Sequence, residues 1–167
     1  MKRAVLFMLA PLWLASAMEH THTEFEFTID APYERVAPLF GAWEEQKWAA
    51  DWKPQFLYPT PAADREGAVF KVEHGGHTSI WVNTVLDLAA GRVQYVYIVN
   101  GTMATRIDIR LTRKGTAATH VAVAYERTAL EEAADAHVRS MAKADAGYGP
   151  EWKAVIEAYL GKSGSPP

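Results

Sequence analysis

His74 and His77 bracket a diglycine in the stretch Glu73-His74-Gly75-Gly76-His77. Two imidazoles across so tight a turn could share a metal ion. Structural zinc takes four ligands, however, and the stretch implies no third histidine or carboxylate on the same face. Glu73 alternates away. Two exposed histidines at a hairpin end are the simpler reading, and it is preferred here. His20 offers a different metal chemistry. If the chain is cleaved after Ala17, His20 becomes its third residue. A free amine, two deprotonated amides and an imidazole then form a square-planar nitrogen set suited to Cu(II) or Ni(II). A flexible polar lead-in over residues 18–22 is the competing reading. His120 and His137 stand alone, with no serine, cysteine or aspartate at a catalytic spacing. The chain has no Gly-x-Ser-x-Gly, no phosphate loop and no dinucleotide fingerprint, so a nucleophilic triad has no support. No metal and no cofactor are expected.

The remaining residues with chemical potential are aromatic. Trp43, Trp48 and Trp52 fall within eleven residues, "AWEEQKWAADW". They could form a lid, plug the end of a sheet, or offer an apolar patch to a partner. Tyr95, Tyr97 and Tyr125 lie in strand-like segments and carry hydroxyls that could orient a ligand.

These side chains must be positioned by strands. "TEFEFTID" (23–30) alternates Phe25, Phe27 and Ile29 against Glu24, Glu26 and Thr28, the period of a half-buried strand. Asp30 and Pro32 then signal a helix start, with the Asp side chain expected to accept from the first helical N–H groups. Short helices are expected over 33–40 and 42–52. From Gln55 the chain becomes strand-rich: 55–59, 67–75, 77–88, 92–99, 104–112 and 118–128. Gly75-Gly76, Asn100-Gly101 and Lys114-Gly115 supply short turns, so the strands form an antiparallel meander. In 77–88 the expected single face is Ile80, Val82, Thr84 and Leu86. In 104–112, Ile107, Ile109 and Leu111 point in, and Arg106, Asp108 and Arg110 point out as a solvated charge face. Helices close the chain at 130–146 and at 150–160, where Trp152, Val155, Ile156, Tyr159 and Leu160 share one stripe.

The 167-residue chain carries a net charge of −3 and no cysteine. Its length suits one domain, stabilised by its core rather than by disulfides. A mildly acidic chain without a basic stripe is a poor partner for nucleic acid. "MKRAVLFMLAPLWLASA" has a basic start, an apolar run and an Ala-Ser-Ala end, so residues 1–17 are expected to be a cleaved signal segment for export to the periplasm or outside the cell. An uncleaved membrane anchor is the alternative. The expected organisation is therefore signal 1–17, lead-in 18–22, one domain over 23–161 and a disordered tail over 162–167. A monomer is expected.

"IDAPYERVAPLF", "GTAATHVAVAYERTAL" and "YGPEWKAVIEAYL" resemble the opening, last strand and closing helix of the START-like helix-grip (SRPBCC, Bet v 1-like and polyketide cyclase-type) superfamily. The resemblance spans about residues 23–160. It implies an α+β helix-grip fold: a curved antiparallel sheet of about 6–7 strands, two short helices after strand 1 and a long C-terminal helix over a central cavity. Side-chain parity makes Phe70, Val72, Tyr95, Tyr97, Ile107 and Ile109 point inward. Val121, Val123 and Tyr125 join them, facing Trp152, Val155, Ile156 and Tyr159. Alternation alone fits a filled core as well as a chamber; the resemblance favours the chamber. Members of the superfamily bind or carry apolar ligands, act as polyketide cyclases, or serve as co-chaperone-like modules. The expectation is an exported binder of a small hydrophobic molecule or lipid, without chemistry. A cyclase- or dehydrase-like enzyme ranks second, because the inward set holds no Asp, Glu or Arg to move a proton. A protein-interaction module ranks third.

Overall fold

The computed structural model describes residues 17–163, and the side chains of 17–161. The expected signal segment lies almost wholly outside the described residues. Seven strands build one curved antiparallel sheet: β1 (His20–Ile29), β2 (Gln55–Tyr58), β3 (Val69–His74), β4 (His77–Asp87), β5 (Arg92–Val99), β6 (Met103–Lys114) and β7 (Ala118–Ala129). Their order is β1-β7-β6-β5-β4-β3-β2, so the first strand closes against the last and the meander runs outward to β2. The helices are α1 (Tyr33–Val36), α2 (Asp135–Asp145) and α3 (Tyr148–Ser163), with single 3-10 turns at Ala37–Phe40, Glu44–Lys47 and Glu132–Ala134. Among the described residues no helix is long and apolar enough to cross a membrane.

Alternation explains the sheet. On β7, Thr119, Val121, Val123, Tyr125, Arg127 and Ala129 are all buried, and the residues between them are partly exposed. β6 behaves as its sequence suggests: Ile107, Ile109 and Leu111 are buried, while Arg106 pairs with Asp108 and with Glu126 of β7 on the outer face. Gly75 and Gly76 both have positive φ, 57° and 80°, as a two-residue hairpin turn requires.

Several expectations need correction. Residues 20–22 are not a loose lead-in; they extend β1 and pair with β7, His20 opposite Thr128. The Glu19 amide donates to Asp135, and the His20 imidazole is engaged with Thr128, so neither group is arranged for a square-planar metal. Asp30 does not cap α1; the Arg35 and Val36 amides donate instead to the Pro32 carbonyl. The expected helix over 42–52 shrinks to the 3-10 turn Glu44–Lys47, at whose start the Trp43 and Glu44 amides donate to the Asp64 carboxylate. Gly149 and Pro150 do not interrupt the chain before the last helix but sit in its first turn, where proline costs no hydrogen bond. α3 also runs to Ser163, past the expected start of the tail at 162.

The largest correction concerns β4. Its concave side carries Ser79, Trp81 and Asn83, and Ile80 is 44% exposed on the other face. The hairpin sets this parity: the diglycine turn places His74 opposite His77, hence Val72 opposite Ser79 and Phe70 opposite Trp81. A bulge between Asn83 and Val85 then shifts the register, and Leu86, across from Val93, packs on the core.

Candidate functional site

A cavity of about 810 Å³ lies between the concave sheet, the Trp48 turn, α2 and α3. Strands supply Val72, Tyr95, Tyr97, Ile107, Ile109 and Tyr125, and β4 adds Trp81. Met141 of α2, Trp152 of α3, and Trp48 and Trp52 complete the wall. His74, His77, His137 and Asp51 also line it and are exposed, so they mark the open side.

The wall is fixed by hydrogen bonds and ring contacts. The Trp48 indole donates to the Leu39 carbonyl at 2.8 Å and the Trp52 indole to the Ala42 carbonyl at 2.7 Å. Trp81 donates to Ser79, which donates to the Val72 carbonyl. Trp81 stacks on Tyr97 with centroids 4.1 Å apart, and Trp52 meets Trp81 edge-on at 5.1 Å. Trp48 and Trp152 touch at 5.7 Å, linking the early turn to α3. Trp48, Trp52 and Trp81 thus have their N–H groups satisfied by protein, and their apolar faces are left for the cavity.

One carboxyl side chain in the wall is buried. Glu45, from the 3-10 turn, is 9% exposed and lines the cavity beside Tyr95. Burial pushes its carboxyl up to about 8, the Asp64 charge adds to the rise, and a hydrogen bond with Tyr95 opposes it. Tyr95 donates to the Phe40 carbonyl at 2.9 Å, and its oxygen also meets the Asn83 amide. Burial and the neighbouring acids hold the Tyr95 phenol well above its ordinary range. Near neutral pH the pair is therefore a protonated acid against a neutral phenol, in a largely apolar chamber.

A second polar group stands on the inner face. Arg127 of β7 and Asp145 of α2 form a buried ion pair. Thr23 donates to the same carboxylate at 2.5 Å, the guanidinium lies over the Tyr125 ring at 4.3 Å, and it donates to the Tyr97 hydroxyl. Burial draws the Arg127 guanidinium down most strongly, but the hydrogen bonds and charges of Asp145 and Tyr97 together outweigh it and leave the group above its ordinary value. Arg127 braces the two cavity tyrosines from behind and does not itself line the cavity.

Not every residue expected at the site is there. Phe70 is fully buried behind the wall, against Phe56, Trp52 and Trp81. Val121, Val123 and Ile156 are core residues. Tyr159 packs on the core outside the cavity wall. Val155 is 38% exposed, because α3 lies on β1 along the Trp152–Ile156–Leu160 line and turns Val155 outward. Of the three early tryptophans, Trp48 and Trp52 are wall residues, whereas Trp43 is 43% exposed and rests on Phe56. His74 and His77 are exposed as expected, yet both flank the cavity; among the described residues no group of three metal-ligating side chains is placed to hold an ion.

The sequence reading missed Glu45, Trp81, His137, Met141 and Arg127. Arg127 follows Tyr125 by two residues, so parity alone placed it inward. Trp81 needed the hairpin register. Glu45 had no signal: an acid in a charged four-residue turn reads as a solvated face.

No family model matches the chain, and no curated protein matches it. Solved structures do. A hypothetical protein from Helicobacter pylori, jhp0584, superposes with TM-score 0.69 at 10% identity, covering 95% of this chain and 98% of its own. Norcoclaurine synthase from Thalictrum flavum, in complex with dopamine and hydroxybenzaldehyde, gives TM-score 0.63 at 10% identity over 99% of this chain and 100% of that one. Ara h 8.0201 gives 0.57 at 11% identity over 84% and 97%. At such identities the likeness speaks for architecture alone. With seven antiparallel strands gripping a C-terminal helix, the chain has the Bet v 1-type, START-like helix-grip fold.

Proposed function

We propose that the domain binds a small apolar or amphipathic molecule between its sheet and its helices, and that it does so as an exported carrier. The observation that carries this reading is the cavity itself: about 810 Å³ of space, walled mainly by aromatic and aliphatic side chains. That volume lies in the range of small-molecule sites, and such walls draw ligands in by desolvation. The tyrosine hydroxyls and the Glu45 carboxyl give the ligand a preferred direction. The signal-like segment 1–17 supports export.

Native mass spectrometry of the protein expressed with its first 17 residues tests both parts. An added mass lost on denaturation supports a retained ligand, and a chain beginning at Met18 supports export. Delipidated protein that takes up no apolar fluorescent probe overturns the binding reading.

A second reading, an acid–base enzyme, draws on one observation. Glu45 meets the requirement the sequence left unmet, a titratable group in the cavity poised near neutral pH. Under that reading Glu45 exchanges a proton with a bound substrate, and Tyr95, itself met by Asn83, holds its carboxyl in place. Conversion of a bound carbonyl compound, lost in Glu45→Gln with binding retained, distinguishes it from a carrier.

A further inference from the structure

Resting on the binding reading above, we propose that the cavity takes a cation: a hydrophobic amine whose ammonium group sits against Glu45 among the indole and phenol faces.

The charges around the cavity are one-sided. No lysine or arginine lines it; the acids Glu45 and Asp51 do, and Asp64 acts on Glu45 from behind. Its neighbour Glu44 has Lys47 as an ion-pair partner, whereas Glu45 forms no ion pair among the described residues. Of the two causes that hold the Glu45 proton in place, loss of water and the nearby Asp64 charge, an entering ammonium offsets the second directly and gives a buried carboxylate the counter-charge it lacks. The same field that penalises a second negative charge attracts a positive one.

The walls suit the same guest. Trp48, Trp52, Trp81 and Tyr97 turn ring faces or edges toward the space, and the three indole N–H groups are already bonded to the Leu39 and Ala42 carbonyls and the Ser79 hydroxyl. Aromatic faces whose indole donors are already engaged favour an apolar body and a desolvated cation over an anion. An anionic ligand would meet Asp51 at the mouth and the Asp64 charge beside Glu45, with no lysine or arginine in the wall to offset them.

The proton balance is simple. The protonated carboxyl and the ammonium combine as carboxylate and ammonium, and one proton passes to solvent; no bond in the ligand changes. The groups facing Glu45 are Asp64, Tyr95 and Tyr125, while Asp51, His74, His77 and His137 stand at the open side. The count of released protons must therefore be assigned to Glu45 by substitution.

The experiment is isothermal calorimetry on the delipidated protein near pH 7, with naphthylethylamine and its uncharged analogue naphthylethanol, in two buffers of different ionisation enthalpy. The expected result is an amine at least about tenfold tighter than the alcohol. About one proton is released per amine bound and none per alcohol. In Glu45→Gln the two probes bind alike and the released proton disappears; its thermal unfolding shows whether the variant is folded. If that variant does not fold, His74→Gln, His77→Gln and His137→Gln are combined instead: proton release that persists without the three imidazoles supports Glu45 as its source, and its loss overturns the assignment. Equal affinity for the two probes, or amine binding without proton release, overturns the cation while leaving the chamber intact. If neither probe binds, the binding reading itself fails.

Discussion

Arg127 and Asp145 meet in a two-pronged ion pair with side chains 2% and 1% exposed, joining β7 to the last residue of α2. The pair sets where α2 ends against the sheet, and so where His137 and Met141 stand over the cavity. Removing one partner leaves the other charge buried. Asp145→Ala is expected to cost about 3–5 kcal/mol, read from urea unfolding near pH 7. The double variant Arg127→Met with Asp145→Leu recovers most of that loss. If Asp145→Ala unfolds like the wild type, the pair is not what seats α2.

Glu45 makes stability depend on pH. Its folded carboxyl lies at about 8, above an ordinary 4.5. Between those values the folded protein holds a proton that the unfolded chain has lost, so stability falls as pH rises and is fully reduced above about 8. Asp64, also pushed up by burial, contributes in the same direction. The test compares wild type with Glu45→Gln across roughly pH 5 to 9. The variant is expected to match wild type at the acid end. At the alkaline end it should exceed it by on the order of a few kcal/mol. Parallel profiles for the two proteins contradict the assignment.

Gly91 allows the β4–β5 turn to touch β6. Its φ is +67°, and a Cβ there would sit 2.1 Å from the Leu111 carbonyl oxygen. Gly91→Ala must both strain the turn and push β6 away, while the Leu111 amide bonds the Gly91 carbonyl at 2.9 Å. A loss of at least about 2 kcal/mol is expected in denaturant unfolding. A smaller loss means that the strand edge gives way more easily than this contact implies.

α3 tests the division between core and surface. Ile156 is wholly buried and Val155 is 38% exposed. Ile156→Ala is expected to cost about 2–5 kcal/mol, and Val155→Ala less than about 1 kcal/mol. Similar costs at both positions put the helix in a different rotation.

Filling the cavity should remove binding without removing the fold. Met141 lines the space from α2 and is partly exposed. Met141→Trp is expected to weaken an apolar fluorescent probe by about tenfold or more, with the unfolding midpoint little changed. Unaltered probe affinity places the probe elsewhere on the protein.

Much of this molecule could be read from its residues. Alternation in "TEFEFTID", in β6 and in β7, with glycine turns between the strands, determined an antiparallel sheet and the inward side of most of its strands. These signals are local: period-two burial and the need for positive φ act on neighbours in sequence. The tertiary structure decided the rest. The hairpin pairing His74 with His77 overrode the apolar look of Ile80 and Val82 and turned Trp81 inward. Docking of α3 on β1 sent Val155 to solvent. Above all, the burial of Glu45 depends on where a four-residue turn, capped by Asp64 from a distant loop, rests against Tyr95. Desolvation is a property of everything packed around a group, so no spacing within the chain could announce that an acid in "AWEEQKW" would be the one held inside.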